Sequence, residues 1–239
     1  MTDEIERTSL DFIKNLTGVT ASEIQAYFTE IESNREFNHL FAENRSNAHG
    51  RQFYSWSMNI GTTLGTVLYT LCRIQKPDAV VETGVASGVS SAYILCALQE
   101  NGHGELYSID LTWEETARYP GRSLHSAPDG ASWERQGERQ SGWIIPDYLR
   151  HRWHLIQGKS SEKLPPLLEE LGTIDIFLHD SEHSYRNMLR EYRTAWAHLK
   201  AGGILLSHNI DMTDAFSDFC RSAGQEGFRL TNMGAAVKI

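Results

Sequence analysis

The chain has 239 residues, which allows one domain with additions or two small domains. Hydrophobic residues make up 40% and charged residues 22%, a globular balance that excludes collagen-like repeats and long disordered chains. The net charge of -9 disfavours nucleic acid and anionic membranes as partners, because a negative surface repels both.

Further features of the composition predict the compartment. The three cysteines show no C-x-x-C spacing and lie in segments with helical patterns: Cys72, Cys96 and Cys220. The acidic N-terminus lacks the pattern of a signal peptide, and no apolar run reaches the roughly 20 residues that cross a bilayer. We therefore expect a cytoplasmic protein with free thiols and with no nucleic-acid or membrane partner.

The first 53 residues are predicted to form a small helical cap. Thr20 has the character of a helix N-cap, and Ile24, Phe28 and Ile31 follow at spacings of one helical face. This cap either pairs two subunits in a homo-oligomer or covers a pocket.

Residues 54–239 are predicted to form one α/β domain. The predicted helices are 54–74, 88–100, 161–171, 184–199 and 213–222, and the predicted strands are 79–81, 105–109, 153–156, 174–178, 203–206, 228–231 and 235–239. Strands separated by helices of this length favour a parallel sheet covered on both faces, the doubly wound architecture. Gly202-Gly203 is predicted to end the fourth of these helices, and a turn at Met233-Gly234 makes the last strand antiparallel.

Residues 112 to about 150 do not fit this alternation. A segment of this length between two strands is typical of a lid or an insertion. We predict a lid over the ligand pocket, formed in part by aromatic side chains: Trp113, Tyr119, Trp133 and Trp143.

The loop from Glu82 to Gly88 follows the first strand and opens a helix, where parallel sheets bind nucleotide-like ligands. Asp110 ends the next strand, where a carboxylate can accept hydrogen bonds from both ribose hydroxyls. Ala86 replaces the second glycine of a dinucleotide-binding loop, and Glu82 would repel a pyrophosphate but suit an ammonium group. S-adenosylmethionine (SAM) carries an ammonium group, a sulfonium and a ribose without phosphate. The alternative is an ordinary tight turn.

Residues 80–91 resemble motif I of class I SAM-dependent methyltransferases, and Asp110 resembles their motif II acid. The resemblance runs from about residue 54 to the C-terminus and is greatest to small-molecule O-methyltransferases of the macrocin and mycinamicin type. Catechol O-methyltransferase is a more distant likeness. The resemblance implies a Rossmann-like, mostly parallel seven-stranded sheet with an antiparallel last strand. It also implies a set of cofactor-binding residues: Glu82, Thr83, Gly84, Ala86, Ser87, Gly88, Ser90, Asp110 and Asp180.

Later strand ends supply candidates for chemistry. Asp180 follows the fourth strand, and His183 follows three residues later, on the same side if the turn continues into the helix. The resemblance implies that Asp180 and Asn209 hold a divalent metal and that His183 is the general base. His208 stands where the family has Asp, and its imidazole shifts the preference from Mg²⁺ toward Mn²⁺, Fe²⁺, Co²⁺ or Zn²⁺. Alternatively, Asp180 caps the helix with His183 in its first turn, and His208 only forms hydrogen bonds.

A bound metal would help the reaction because the hydroxyl of the acceptor is difficult to ionise. A histidine has a pKa of about 6.5 and an aliphatic hydroxyl one near that of water, about 15.7, so full deprotonation costs about 12 kcal/mol. A dication lowers the pKa of an oxygen acid by several units, whereas a phenol, with a pKa of about 10, needs less assistance.

The sequence therefore predicts a SAM-dependent methyltransferase acting on a hydroxyl of a small molecule, with Asp180, His208 and Asn209 as metal site and His183 and Asp180 as catalytic residues. One alternative keeps SAM without the metal and transfers the methyl group to a phenol or an amine. Another is a non-catalytic, nucleotide-binding protein of the same fold.

Overall fold

The structure, a computed structural model, describes residues 3–46, 54–112, 115 and 141–239. The strands in this part of the chain are β1 (Ala79–Thr83), β2 (Glu105–Asp110), β3 (Trp153–Gln157), β4 (Ile174–His179), β5 (Leu199–Ser207), β6 (Phe228–Leu230) and β7 (Met233–Val237). They form a seven-stranded sheet in the order β3-β2-β1-β4-β5-β7-β6. The first five strands pair in parallel, and β7 is antiparallel to both of its neighbours. The prediction of a Rossmann-like sheet with an antiparallel last strand is confirmed.

Helices cover both faces of the sheet. Those described are α1 (Asp3–Thr17), α2 (Ala21–Ser33), α3 (Arg35–Ser46), α4 (Tyr54–Gln75), α5 (Val89–Asn101), a 3₁₀ helix (Asp147–Arg152), α6 (Ser160–Leu171), α7 (Tyr185–His198) and α8 (Ala215–Ala223). Because side chains alternate along a strand, Val80 lies in one hydrophobic cluster with α4 and α5, while Val81 lies in a second cluster with α6, α7 and α8. The two clusters explain the near-continuous apolar runs of the central strands.

The N-terminal helices pack on the first of these clusters. The Thr20 hydroxyl accepts a hydrogen bond from the backbone N–H of Glu23 and caps α2, and the Glu23 carboxylate bonds back to the N–H of Thr20. Ile24 and Phe28 are fully buried, and their cluster also contains residues of α4 and α5. The predicted N-cap and the predicted buried face are both present.

Two predicted boundaries are wrong. Gly202-Gly203, predicted as the signal that ends the helix of residues 184–199, lies inside β5. The N–H of Leu199 already closes α7 on Ala195, and the buried Leu199 side chain begins β5. The final turn also differs, since β7 already begins at Met233 and the turn consists of residues 231–232.

Most of the predicted lid lies outside the described residues, including Trp113, Tyr119 and Trp133. Its described end, from Ser141 to the 3₁₀ helix, packs into the first cluster through the buried side chains of Ile144, Ile145 and Leu149. The three cysteines are free and buried in α4, α5 and α8. Among the helices of the described residues, none combines the length and apolarity that a bilayer crossing requires.

Candidate active site

The loop after β1 passes close to the end of β4. Gly84 has φ +85°, and a Cβ at this position would lie 2.1 Å from the carbonyl oxygen of Asp180. The Gly84 N–H donates to the carbonyl of Ile109 at the end of β2. Only glycine permits this approach, so the loop is fixed between two strand ends.

The second half of this loop is covered by the described end of the predicted lid. Ala86, where a dinucleotide-binding loop has glycine, adopts a left-handed φ of +49°. Its carbonyl accepts a hydrogen bond from the N–H of Gly142, and the carbonyl of Ser87 accepts one from Ile144. Gly88 has φ +92°, and a Cβ there would lie 2.7 Å from the Cα of Gly142.

A cleft of about 300 Å³ lies at the carboxyl ends of β1, β2, β3 and β4. This edge includes the point between β1 and β4 where the strand order reverses, which is where open parallel sheets bind ligands. The lining comprises Gly84, Val85, Ala86, Ile109, Asp110, Leu111, Gly158, Lys159, Ser160, Ser161, Asp180, Ser181, Glu182, Asn187 and Arg190. Of the predicted cofactor-binding residues, Gly84, Ala86, Asp110 and Asp180 therefore line the cleft.

The Asp110 carboxylate is already hydrogen-bonded on both oxygens. Oδ2 accepts from the Ser141 hydroxyl at 2.6 Å and from the Ala86 N–H at 3.1 Å, and Oδ1 accepts from the Leu111 N–H. Burial raises the pKa of Asp110, although these hydrogen bonds oppose the shift. The backbone N–H of Val85 also lowers the pKa of Asp110 as a hydrogen-bond donor, so a ligand hydroxyl would compete with one of these donors for about four acceptor positions.

Glu82 lies beneath the loop, outside the lining of the cleft. Its carboxylate is fully buried and accepts hydrogen bonds from the hydroxyls of Ser90, Ser91 and Ser108. Burial raises the pKa of Glu82 to about 7, although the serine hydroxyls oppose the shift. The structure therefore does not bring Glu82 or Ser90 to the cleft surface, where a direct contact with an ammonium group would form.

The remaining predicted residues of the loop are also outside the lining: Thr83, Ser87 and Gly88. Thr83 is buried and donates its hydroxyl hydrogen bond to Glu191 of α7 at 2.6 Å. Ser87 and Gly88 instead contact the segment that begins at Ser141.

The predicted acid and two histidines meet beside the cleft. Asp180 Oδ1 lies 3.0 Å from His208 Nδ1 and 3.4 Å from His183 Nε2. The three side chains are partly exposed, and each offers a ligand atom within 4.8 Å of the others. Asn209, the third predicted metal ligand, turns its amide nitrogen toward His183 Nε2 at 3.4 Å. Asn209 therefore lies at the edge of the cluster, and its role as a metal ligand stays a prediction.

Electrostatic interactions within the cluster are strong. Burial alone would raise the pKa of Asp180, but the imidazoles of His208 and His183 hold this pKa well below its usual range. Burial would lower the pKa of His208, whereas the Asp180 carboxylate raises it above its ordinary value. The cluster therefore favours a charged carboxylate, and His208 has to lose the proton that this carboxylate stabilises before it can bind a cation.

Asn232, in the turn between β6 and β7, was not predicted. Its amide nitrogen lies 3.1 Å from His208 Nε2 and donates to Asn209 Oδ1 at 2.8 Å. The only local signal is a polar residue in a hairpin turn, which is common without function.

A buried network behind the cluster was also not predicted. Glu191 of α7 accepts hydrogen bonds from Thr83, His179, Ser181 and Asn187. Burial would raise the pKa of Glu191, but the hydrogen bond and charge of His179 lower it to about 2. Glu191 thus connects the end of β1 to the turn that carries Asp180. A charged residue on the buried face of a helix was the available signal.

Residues 81–210, more than half of the chain, match the family described as a methyltransferase domain. The chain therefore belongs to the methyltransferase domain family, and the prediction of a methyltransferase is confirmed. No protein among the curated sequences matches the chain.

Two solved structures share this architecture. The SAH-bound methyltransferase PaMTH1 from Podospora anserina is 15% identical over 91% of this chain and 94% of its own, with a TM-score of 0.54. Cofactor-bound Rv0187 from MTB is 14% identical over 85% of this chain and 90% of its own, with a TM-score of 0.51. These similarities support the predicted class I methyltransferase fold.

Proposed function

We propose that the protein transfers a methyl group from SAM to a hydroxyl of a small molecule, with His183 as the general base and a divalent ion bound at Asp180. The observation that carries this proposal is the position of the Asp180, His183 and His208 cluster directly beside the cleft formed by the Gly84 loop and Asp110. A methyl donor in the cleft would then lie next to the groups that activate the acceptor.

The chemistry of the cleft supports SAM as the ligand. Its volume suits part of a cofactor-sized molecule, and it carries both carboxylates and cations: Asp110, Asp180 and Glu182 with Lys159 and Arg190. A ligand with a zwitterionic amino-acid part and a sulfonium can satisfy both signs. A ribose hydroxyl can donate to Asp110 in place of one of its present donors.

The donor set of the cluster fits a divalent ion. Asp180 and His208 offer an oxygen and a nitrogen to the ion, while His183, in the same cluster, keeps its nitrogen for the proton of the acceptor. Imidazole ligands favour Mn²⁺, Fe²⁺, Co²⁺ or Zn²⁺ over Mg²⁺. When bound, such an ion would lower the pKa of an acceptor hydroxyl by several units.

The side chains then have distinct tasks. The Gly84 loop and Asp110 orient the methyl donor, and the turn from Asp180 to His183 orients the acceptor, so that the two reacting atoms are held in line. The acceptor oxygen forms a bond to the methyl carbon as the carbon–sulfur bond breaks, and the bonding electrons leave with sulfur. His183 takes the proton that the acceptor hydroxyl loses.

A metal-independent transfer to a phenol or an amine is the second candidate. The observation in its favour is the hydrogen bond between His208 Nδ1 and Asp180 Oδ1, which are 3.0 Å apart. This bond holds the two side chains together without a metal ion. An acceptor that ionises easily would need only the histidine base.

The test uses purified protein, SAM calorimetry and transfer of labelled methyl groups to a panel of aliphatic alcohols, phenols and amines. We expect SAM to bind, and we expect His183→Ala to lower turnover about 10²-fold or more with little change in SAM affinity. His39→Ala, at a histidine side chain that is 79% exposed on α3, is the matched control. Absence of SAM binding would contradict the proposal, and unchanged turnover in His183→Ala would remove the base.

A chelator separates the two candidates. Loss of transfer in EDTA with recovery on adding Mn²⁺ or Co²⁺ supports the metal. Transfer that survives EDTA and that no dication increases supports the metal-independent candidate.

A further inference from the structure

Four hydrogen-bond donors of the described residues occupy the Asp110 carboxylate. Oδ1 accepts from the N–H of Leu111 at 3.0 Å, and Oδ2 accepts from the N–H of Ala86 at 3.1 Å. The N–H of Val85 is a further donor, and the Ser141 hydroxyl donates to Oδ2 at 2.6 Å. A carboxylate offers about four acceptor positions, so a further hydroxyl binds only by taking the place of one of these donors.

Three of the donors are backbone groups, which cannot leave the carboxylate separately. The N–H of Leu111 belongs to the peptide bond that follows Asp110, and the carbonyl of Asp110 itself accepts from the N–H of Gly158. The N–H groups of Val85 and Ala86 belong to the loop after β1, which is hydrogen-bonded to the end of β2. Displacement of any of the three would therefore require the backbone to rearrange.

The Ser141 hydroxyl differs, because rotation about a single side-chain bond removes it from the carboxylate. The backbone stays in place during this rotation, since the N–H of Gly142 donates to the carbonyl of Ala86 at 3.0 Å. A serine side chain has three staggered rotamers, so the exchange needs no change of the fold. Asp110 lines the cleft and Ser141 does not, so a ligand in the cleft approaches the carboxylate without passing Ser141.

We propose that the Ser141 hydroxyl is an intramolecular competitor of the cofactor ribose, which occupies the Asp110 carboxylate until a ribose hydroxyl donates to this carboxylate from the cleft. This inference deepens the proposed function and rests on its assignment of SAM to the cleft. SAM and its demethylated product, S-adenosylhomocysteine (SAH), carry the same ribose, so the competition lowers the affinity for both by the same factor. The lower affinity for SAH favours its release, a step that limits many enzymes.

Removal of the hydroxyl provides the test. In Ser141→Ala the carboxylate has one donor fewer, so we expect SAM and SAH to bind about 3- to 10-fold more tightly in calorimetry, which corresponds to the net contribution of one hydrogen bond. Ser141→Thr keeps a hydroxyl and should keep the affinities of the unchanged protein. Ser33→Ala is the matched control, because Ser33 is exposed on α2 and its hydroxyl donates to the carbonyl of Glu30 in the same helix.

Three results would overturn the inference. Unchanged affinity in Ser141→Ala would show that the ribose does not compete with this hydroxyl. Weaker binding in Ser141→Ala would show that the hydroxyl instead holds Asp110 in the conformation that the ligand needs. An equal gain of affinity in Ser141→Thr would show that the hydroxyl is not the group responsible.

The second readout compares two nucleosides that differ only in the ribose. In NMR titrations, which measure weak binding, adenosine should gain from Ser141→Ala the same factor as SAM. The nucleoside 2′,3′-dideoxyadenosine lacks both ribose hydroxyls and should gain nothing. An equal gain for both nucleosides would mean that the effect does not act through the ribose, and the inference would be wrong.

The binding measurements require no methyl transfer, so the two proposals can fail separately. A protein that binds SAM but transfers its methyl group to no acceptor would contradict the proposed function and leave this inference intact. A protein that transfers the methyl group but gains no affinity in Ser141→Ala would contradict this inference alone. Absence of binding of SAM, SAH and adenosine would overturn both.

Discussion

At the scale of single residues, burial changes the chemistry of Glu82 most clearly. Its carboxylate lies among three serine hydroxyls, with no cation of the described residues in hydrogen-bonding contact, and its pKa is raised from 4.5 to about 7. The serines supply hydrogen bonds that both the protonated and the charged form can use, whereas burial penalises only the charged form. Glu82 therefore supports the loop through buried hydrogen bonds to these serines.

This shift predicts a pH dependence of stability. The folded state binds the proton of Glu82 more tightly than the unfolded state, so the free energy of unfolding should fall as pH rises from 4.5 to about 7. The contribution is about 3 kcal/mol, because each pKa unit corresponds to about 1.4 kcal/mol. Urea unfolding of Glu82→Gln across this range should lack this decrease. The exposed Glu169→Gln should retain it, and equal slopes in both variants would contradict the buried, protonated Glu82.

At the scale of elements, the loop after β1 and the turn after β4 form one unit. They meet where Gly84 passes the carbonyl of Asp180, and Glu191 binds Thr83 on one side and Ser181 on the other. The loop that we propose to bind SAM and the turn that carries Asp180 thus share their contacts. A displacement of one should displace the other.

Gly84→Ala tests this close approach. The new Cβ would lie 2.1 Å from the carbonyl oxygen of Asp180, and the backbone φ is +85°. We therefore expect the free energy of unfolding to fall by more than about 2 kcal/mol and SAM binding to be lost as well. Gly172→Ala is the matched control, because Gly172 has φ +72° and nothing within 4 Å of a Cβ. It should lose about 1–2 kcal/mol and keep its SAM affinity. Equal losses in the two variants, measured by urea unfolding, would show that the contact with Asp180 is unimportant.

At the scale of the whole molecule, the N-terminal helices share a hydrophobic cluster with α4 and α5. Phe28 of α2 and Phe37 of α3 are fully buried in it, and the exposed fraction of Leu68 of α4 is only 1%. A cluster that spans these helices should couple their unfolding to that of the sheet.

Phe28→Ala tests this coupling. Truncation of a buried phenylalanine costs about 3–5 kcal/mol, and we expect one cooperative transition that moves to lower denaturant. Met212→Ala, at a residue that is 52% exposed, should change little. The unfolding is followed by circular dichroism and by tryptophan fluorescence. Two separate transitions, of which Phe28→Ala shifts only the first, would mean that the N-terminal helices unfold on their own.

Much of this architecture was accessible from the sequence because it depends on local patterns. Apolar runs of strand length, helical periodicity and the glycines after Glu82 predicted the order of β1 to β5 and the position of the loop. The errors at Gly202-Gly203 and Met233-Gly234 have a common cause, since glycine marks turns by its freedom but pairing between strands decides where extended structure begins.

The sequence by itself determined the class of protein, because the strand-to-helix alternation, the glycine loop and the spacing of Asp180 and His183 are properties of neighbouring residues. The tertiary structure decided which distant polar groups meet. Strand order brings His208 and Asn209 from the end of β5 to Asp180, and the β6–β7 turn adds Asn232. It also withdraws Glu82 from the ligand surface. Hydrogen bonds act over about 3 Å, and no local periodicity records which side chains lie at that distance once the sheet has assembled.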